Sequence, residues 1–168
     1  TRGFGAEVML HGNTLYEARA HALALAGEQG LALVHPYDDL DVIAGQGTTA
    51  LEMLQAVPDL DAAFVPIGGG GLVAGMATAF KALRPGMAVV GVQAERFPTM
   101  VNAVRHQHLP VGQTTIAEGI AVGTPGKLTL PVVQRLVDDL VLVDEGEIEQ
   151  GILMLLEHEK TLVEGAGA

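Results

Sequence analysis

The stretch that decides the fold is VPIGGGGLVAG, residues 65–75, in which a short apolar run leads directly into four glycines. The apolar run is typical of a buried strand, and the residues after the glycines are typical of a helix. Because glycines have no Cβ, their N–H groups can point into one concavity, where the helix N-terminus adds roughly half a positive charge. The stretch therefore predicts a strand–loop–helix unit that binds a phosphate. A tight turn is the alternative, but four glycines cost more conformational entropy than a turn requires.

The pattern around the glycines bears on which phosphate the loop binds. The chain has no Gly-x-x-x-x-Gly-Lys-Ser/Thr run, and Val73 interrupts a strict Gly-x-Gly-x-x-Gly fingerprint, so only a looser form that ends in Ala74 is met. Glu95 ends the next predicted strand, as a ribose-binding acid does, although its spacing from the loop is long. A nicotinamide site is therefore the second choice, and a small cofactor with one phosphate is the first.

Short apolar runs alternate with helical patterns along the rest of the chain. The predicted strands are residues 7–11, 31–34, 62–67, 88–93 and 140–143, and the predicted helices are 14–30, 48–57, 72–83, 98–106, 130–137 and 145–158. Unbroken runs such as LVLV are typical of parallel strands that are covered on both faces. The sequence therefore predicts an α/β fold, with a mainly parallel twisted sheet and helices on both faces.

Capping signals mark where several of these helices begin. Thr14 with Glu17, and Asp144 with Glu147, have the spacing of capping boxes. Thr129 is predicted to cap the helix that carries Pro131 in its first turn.

Composition excludes several classes of function. The chain has 168 residues, a net charge of −11 and 49% hydrophobic residues, which predicts about one globular domain rather than a disordered chain. The acidic balance argues against nucleic acid and against an anionic membrane surface. Residues 62–80 are uncharged and long enough to span a membrane, but Pro66 and the glycines favour strand, loop and helix. Without cysteines, disulfides and thiolate chemistry are excluded.

Several segments resemble one enzyme family. VPIGGGGLVAGMA is similar to the phosphate loop of fold-type II enzymes that use pyridoxal 5′-phosphate, specifically the threonine/serine dehydratases (threonine ammonia-lyases) and serine racemases. The uninterrupted glycines favour the dehydratase branch over the cysteine synthases. EGAGA (164–168) resembles the catabolic or bifunctional threonine/serine ammonia-lyases more than the biosynthetic form. The other matching segments, in chain order, are HPYDDLDVIAGQGTTALEM (35–53), GVQAE (91–95), TIAEGIAV (115–122), LVDDLVLVDEGEI (136–148) and TLVEGAGA (161–168).

The resemblance implies a cofactor, a reaction and a set of site residues. The cofactor is pyridoxal 5′-phosphate, held by backbone N–H groups of five residues: Gly68, Gly69, Gly70, Gly71 and Leu72. Gly119 would lie beside the pyridine ring, and Glu164, the catalytic candidate, near the substrate amine. The reaction is the β-elimination of L-threonine or L-serine to a 2-oxo acid and ammonia. Serine racemase of the same fold and a non-catalytic phosphate-binding α/β domain are the alternatives.

The resemblance also carries expectations about the whole protein. A small amino acid is the expected substrate, with neither nucleic acid nor membrane as a partner. A cytoplasmic homo-oligomer (dimer or tetramer) in amino-acid metabolism, including isoleucine biosynthesis, is expected. The low charged fraction of 17% also favours an oligomer, because it leaves few polar residues to cover the surface.

The departures from the family pattern concern the cofactor lysine. The family places it in a Ser-x-Lys-x-Arg-Gly-type motif near the N-terminus, and Lys81, Lys127 and Lys160 all lack that setting. Each is interpreted as a solvated surface ammonium. The resemblance implies that the chain is an internal piece of a longer enzyme and is inactive alone. Residues 1–35 would end the small domain, and 36–168 would form the incomplete large domain, which binds the cofactor.

Two patterns could suggest a metal site. His106 and His108 have a His-x-His spacing, which on a polar segment is more typical of a surface turn. Glu95 resembles a carboxylate that binds a divalent cation in serine racemases, but the second carboxylate is missing around Met100. Because one hard ligand makes a poor magnesium site, we predict no metal through these side chains.

The remaining polar residues have structural interpretations. His35, beside a proline at a predicted strand end, is expected to be structural. Asp138 and Asp139 are interpreted as a solvated helix end. Glu118 is expected either to face the cofactor or to make a structural hydrogen bond.

Overall fold

A computed structural model describes residues 1–13 and 15–168 of the chain. It divides into two compact units, Thr1–Val34 and His35–Ala168. The first unit contains a 3₁₀-helix, Arg2–Phe4, and helix α1, Leu15–Gln29, which was predicted. The predicted cap at Thr14 lies outside the described residues. The strands predicted over 7–11 and 31–34 were wrong, since both segments are irregular. A strand needs a neighbour for its N–H and C=O groups, and neither segment pairs with one among the residues that the structure describes.

The second unit is built around a parallel sheet. Its three strands pair in the order β1-β2-β3, with Val65 opposite Gly91 and Gly91 opposite Leu140. The prediction of an α/β fold with a parallel sheet is confirmed. The elements in chain order are α2 (Leu40–Ala56), β1 (Ala62–Pro66), α3 (Gly71–Leu83), β2 (Ala88–Ala94), α4 (Thr99–Arg105), a 3₁₀-helix (Glu118–Ile120), α5 (Thr129–Leu136), β3 (Asp139–Val143), α6 (Glu145–Met154) and a π-helical segment (Leu155–Glu159).

One face of the sheet packs against α3 and forms the main core. Val65, Val89 and Leu140 point to this face and are buried together with Phe80 of α3. The backbones of α2 and α3 are in direct contact. A Cβ on Gly75 of α3 would overlap the carbonyl of Ile43 in α2. A Cβ on Gly47 of α2 would in turn lie 3.1 Å from the Gly75 carbonyl oxygen, which explains why α2 keeps this glycine although glycine weakens a helix.

The opposite face of the sheet carries a smaller apolar cluster. Ala94 at the end of β2 packs with Ala117 and with Ile148 of α6. Helices therefore contact both faces, as predicted. Phe64, on the same face nearer the middle of β1, stays 70% exposed. Within residues 1–13 and 15–168, no helix combines the length and the apolar character that a membrane span requires.

The predicted capping box of α6 is correct, whereas the predicted start of α2 and the predicted cap of α5 were wrong. Asp144 and Glu147 form the predicted capping box of α6. Helix α2 starts at Leu40 instead of 48, because the Asp39 carboxylate accepts the N–H groups of residues 41 and 42 and so caps the helix earlier. Thr129 makes no side-chain cap but is the first residue of α5, with its hydroxyl directed elsewhere.

The amino ends of β2 and β3 are joined by a partly buried ion pair. The Lys81 ammonium lies 2.7 Å from the Asp138 carboxylate and donates to the carbonyl of Met87 at 2.6 Å. The same carboxylate accepts the Val89 N–H at 2.6 Å. The hydrogen bond from Lys81, followed by that from Val89, holds the pKa of Asp138 below its usual value. The interpretation of Lys81 as a solvated ammonium was therefore wrong, whereas Asp138 is exposed as expected but is also paired. Asp139 pairs with Arg105 at 2.9 Å.

Candidate functional site

The glycine loop, residues 68–71, connects the carboxyl end of β1 to the N-terminus of α3. All four glycines are buried. Gly70 has a φ of 96°, in the left-handed region that favours glycine. Within the described residues, the backbone N–H groups of 68–73 donate to no other group of the protein. Buried, unpaired donors at a helix N-terminus are costly unless an anion accepts their hydrogen bonds, so this loop is built for an anionic ligand.

Neighbouring segments approach the loop too closely for any side chain on it. A Cβ on Gly69 would overlap the ring of Tyr37. A Cβ on Gly70 would lie 2.7 Å from the Met100 Cε and 2.8 Å from the Thr129 Oγ1. The glycines therefore allow both the conformation of the loop and its close packing against the rest of the domain.

The back of the loop is tied to the turn before α5. The carbonyl of Gly69 accepts two hydrogen bonds, from the Thr129 hydroxyl at 2.6 Å and from the Gly126 N–H at 3.0 Å. Because a trans peptide points its C=O and N–H in opposite directions, the N–H of Gly70 faces away from this turn.

Asp38 holds that turn in place. Its carboxylate accepts the N–H groups of Lys127 at 2.9 Å and Leu128 at 2.8 Å. Burial works to raise the pKa of Asp38, but the backbone hydrogen bonds together outweigh it and hold the pKa below its usual value. His35 supports Asp38 in turn, since its Nδ1 accepts the N–H of Asp38 at 2.9 Å. The expectation that His35 is structural agrees with this geometry, which needs a proton-free Nδ1.

Gln93 is a buried side chain that sequence reasoning missed. It is 0% exposed, although it lies in the apolar strand β2. Its Oε1 accepts the N–H groups of Met100 and Val101, both at 3.1 Å, and its Nε2 donates to the Ile67 carbonyl at 3.4 Å. Gln93 thus joins the residue before the glycine loop to the first turn of α4. The signal in the sequence is a lone amide within an apolar strand.

The segment 115–122 borders the loop on its other side. A Cβ on Gly68 would lie 3.0 Å from the Cα of Ile120. Glu145, at the start of α6, anchors this segment by accepting the Thr115 hydroxyl at 2.5 Å and the Ile116 N–H at 2.9 Å. The hydrogen bond from Thr115, followed by that from Ile116, keeps the pKa of Glu145 below its usual value. The sequence analysis did not single out Glu145.

The same segment brings two predicted site residues together. A Cβ on Gly119 would lie 3.3 Å from the Glu164 Oε1 and 3.1 Å from the Cβ of Ala166. The residues singled out from sequence therefore share one region, at the carboxyl ends of the strands. It runs from the glycine loop through Ile120 to Gly119 and Glu164. Glu118 is exposed at the start of the 3₁₀-helix in this segment.

The other candidates lie apart from this region. Lys81 is engaged at the amino ends of the strands. His106 ends α4 with a φ of 53°, and His108 follows in an irregular segment. Among residues 1–13 and 15–168, no group of three or more His, Asp or Glu side chains is arranged to hold a metal ion.

Comparison with known proteins assigns the chain to a family. Residues 1–168 match the family model described as "Pyridoxal-phosphate dependent enzyme". The chain belongs to this pyridoxal-phosphate-dependent family. The predicted resemblance is confirmed over the whole chain.

Two named relatives match this chain over its full length. It is 45% identical to an L-threonine ammonia-lyase of Thermotoga maritima and 44% identical to an L-threonine dehydratase (catabolic TdcB) of Staphylococcus aureus. The chain spans only 42% and 49% of the lengths of these two relatives.

Solved structures share the fold as well. Maize serine racemase superposes with a TM-score of 0.93 at 32% identity, over 99% of this chain and 53% of that one. A processed threonine deaminase (isoform 2) of Solanum lycopersicum superposes with a TM-score of 0.92 at 36% identity, over 99% of this chain and 46% of that one.

The residues of the glycine loop fit the family's cofactor. The phosphate of pyridoxal 5′-phosphate is a compact anion that needs several donors and no cation of its own. The loop offers unpaired backbone N–H groups and the positive end of α3, whose first turn has no acidic residue. A carboxylate near the loop, Asp38, already accepts two N–H groups of the turn at 127 and 128. The chemistry of the loop therefore matches the phosphate.

Proposed function

We propose that the protein carrying this chain is a pyridoxal-phosphate-dependent threonine ammonia-lyase, which converts L-threonine into 2-oxobutanoate and ammonia. L-serine would give pyruvate in the same way. The observation that carries the proposal is the row of buried, unpaired N–H groups in the glycine loop. Relatives that are 44–47% identical over the whole chain are named L-threonine ammonia-lyase or L-threonine dehydratase, which supports the substrate.

Each predicted site residue has a proposed task. The N–H groups of Gly68, Gly69, Gly70, Gly71 and Leu72 would bind the phosphate. When bound, the cofactor supplies an electron sink for the Cα–H bond of the amino acid. The backbone of Gly119, without a side chain, would let a flat ring approach closely. The Glu164 carboxylate is exposed beside Gly119. It would accept a hydrogen bond from the substrate ammonium and so hold the ammonium proton at its carboxylate oxygen.

We expect the lysine that anchors the cofactor to come from a part of the protein outside these 168 residues. Lys81 is bound to Asp138 at the far ends of the strands, and Lys160 donates to the Glu157 carbonyl. The chain alone should then bind the phosphate weakly and show no activity. We also propose that residues 1–35 end a small domain and that 36–168 belong to the large one, in accord with the compact unit that starts at His35.

The whole protein would be a cytoplasmic homo-oligomer, a dimer or a tetramer. Exposed apolar side chains such as Phe64 support association. A catabolic role is favoured over isoleucine biosynthesis by the word catabolic in the name of the Staphylococcus aureus relative.

The test is a product assay on the complete protein. With L-threonine we expect 2-oxobutanoate and ammonia in equal amounts, measured by reduction of the oxo acid with a dehydrogenase and NADH. A chiral separation after incubation with L-serine reports D-serine. D-serine without any oxo acid would favour the racemase alternative. The relatives named as threonine lyases do not favour that alternative. Cofactor binding without turnover of either amino acid would contradict both enzymes.

A further inference from the structure

Four successive glycines cannot fix their own conformation. Each has wide freedom in φ and ψ, and a glycine loop loses much entropy when it is ordered. A loop that must present its N–H groups in one direction therefore depends on outside contacts. The contacts that could do this come from Tyr37, from the segment 120–122 and from the turn 126–129, and the turn also hydrogen-bonds to the Gly69 carbonyl.

Thr129 makes a side-chain hydrogen bond to the glycine loop. Within the described parts of the chain, its hydroxyl is the only side-chain group that hydrogen-bonds to the four glycines, through the Gly69 carbonyl at 2.6 Å. Thr129 is 0% exposed, so water does not compete for this bond. The Gly126 N–H is the second donor to the same carbonyl, at 3.0 Å.

This pair of bonds sets the direction of one peptide plane. With the Gly69 carbonyl held toward the turn, the N–H of Gly70 must point away from the turn, because a trans peptide directs its C=O and N–H oppositely. If the hydroxyl is removed, only the Gly126 N–H is left to hold the carbonyl. The Gly69–Gly70 peptide can then rotate, and a rotated N–H no longer faces the ligand.

Asp38 acts one step further back. Its carboxylate accepts the N–H groups of Lys127 and Leu128, immediately before Thr129. A Cβ on Gly126 would overlap the Asp38 Oδ1 and lie 2.6 Å from the Thr129 Oγ1, so the turn closes tightly around both groups. Asp38 thereby fixes the position from which Thr129 reaches the loop.

We propose that Thr129 is a positioning residue for the cofactor phosphate, aiming the Gly70 N–H by holding the Gly69 carbonyl, with Asp38 as its support. This inference rests on the proposed function, since it names the ligand of the glycine loop. In this role Thr129 acts through the backbone of the loop. It acts by ordering donors before the phosphate arrives.

The test measures affinity for the cofactor, without turnover. The complete protein is freed of pyridoxal phosphate and titrated with it, and binding is followed by absorbance. Thr129→Val removes the hydroxyl at nearly constant volume and should weaken binding roughly tenfold to a hundredfold. Thr129→Ser keeps the hydroxyl and should bind within about threefold of the parent protein.

A matched control separates positioning from loss of an ordinary hydrogen bond. Thr78 donates its hydroxyl to the Ala74 carbonyl at 2.7 Å within α3, away from the loop. Thr78→Val should leave the cofactor affinity unchanged. Titration with pyridoxal, which lacks the phosphate, provides a second readout. Thr129→Val should affect pyridoxal binding much less than pyridoxal phosphate binding, whereas a general loss of structure would affect both equally.

The outcomes distinguish this proposal from the proposed function. Equal cofactor affinities of the parent and Thr129→Val would contradict the positioning role, even if the parent deaminates threonine. A parent that binds the cofactor but does not turn over threonine would contradict the lyase and leave the positioning role supported by the variants. A parent that binds no cofactor would overturn both.

A second variant covers a failure of Thr129→Val to fold. Asp38→Asn then decides the question, because its amide can accept only one of the two N–H groups. Weaker cofactor binding by Asp38→Asn, with parent-like binding by Thr129→Ser, supports the proposal. Parent-like binding by Asp38→Asn contradicts it.

Discussion

The two ends of the parallel sheet use the same backbone groups in opposite ways. At the amino ends, the Met87 carbonyl and the Val89 N–H are both paired, by Lys81 and Asp138. At the carboxyl ends, the N–H groups after β1 have no partner in the described protein, although the glycines that carry them are buried. Charged side chains satisfy the backbone groups at the amino ends, and a ligand must satisfy those at the carboxyl ends. Changes at one end should therefore affect stability, and changes at the other should affect binding.

The largest effect should come from a carboxylate placed in the loop. Gly70→Asp puts a side chain where φ is 96° and where the Met100 Cε would lie 2.7 Å from its Cβ. Strain and repulsion of the phosphate should together weaken binding of pyridoxal phosphate by roughly a hundredfold or more. The readout is the cofactor retained after gel filtration.

Gly86→Asp is the matched control at the other end of the sheet. A Cβ there meets nothing within 4 Å. Retention of the cofactor should equal that of the parent protein. Equal loss from both variants would mean that added negative charge anywhere, rather than the loop, governs retention.

Glu164 sharpens the comparison within the carboxyl end. Glu164→Gln removes the charge that would pair with the substrate ammonium, so we expect the KM for threonine to rise roughly tenfold. Cofactor affinity should stay near that of the parent, because the phosphate donors are unchanged. A large loss of cofactor affinity with an unchanged KM would contradict the assigned task.

At the amino end, Asp138→Asn should cost stability and spare binding. The ion pair is partly exposed to solvent, so we expect a loss of about 1 kcal/mol in the free energy of unfolding, measured in urea. Affinity for pyridoxal phosphate should not change. Loss of cofactor binding without loss of stability would contradict the assignment of stability to the amino ends and of binding to the carboxyl ends.

The smallest effect is a dependence of stability on pH. The folded pKa of Asp138 lies below its reference value of 3.8, so the unfolded chain takes up the proton first as the pH falls. The stabilisation by Asp138 is complete well above pH 3.8 and is lost as the pH falls toward the folded pKa. The free energy of unfolding should decline less steeply below about pH 5 in Asp138→Asn than in the parent. Parallel pH profiles would contradict this.

The sequence contained enough to predict the elements around the loop. The apolar runs of β1, β2 and β3 have parallel-strand character, and the glycines mark the loop by composition alone. Gly119 and Glu164 were chosen through family resemblance, and the structure brings them into contact. In the first unit, residues 7–11 and 31–34 had apolar strand-like patterns, but a pattern cannot supply the pairing neighbour that a strand requires.

The supports of the site could not be predicted in the same way. The Thr129 hydroxyl and its acceptor are 60 residues apart, and Lys81 and Asp138 are 57 apart. Local patterns contain no information on such pairs. Thr129 was therefore assigned to a local cap, which is the usual role of a threonine beside a helix start, and Gln93 was not singled out. Long-range hydrogen bonds are determined by the packed fold.

The most direct test of the account is a crystal structure of the complete protein with pyridoxal 5′-phosphate. We expect the phosphate oxygens to lie about 2.7–3.2 Å from the backbone nitrogens of residues 68–72, with the Gly69 carbonyl still held by Thr129. A phosphate bound elsewhere, with the glycine N–H groups lacking any contact to it, would contradict the central claim that these buried donors exist to hold it.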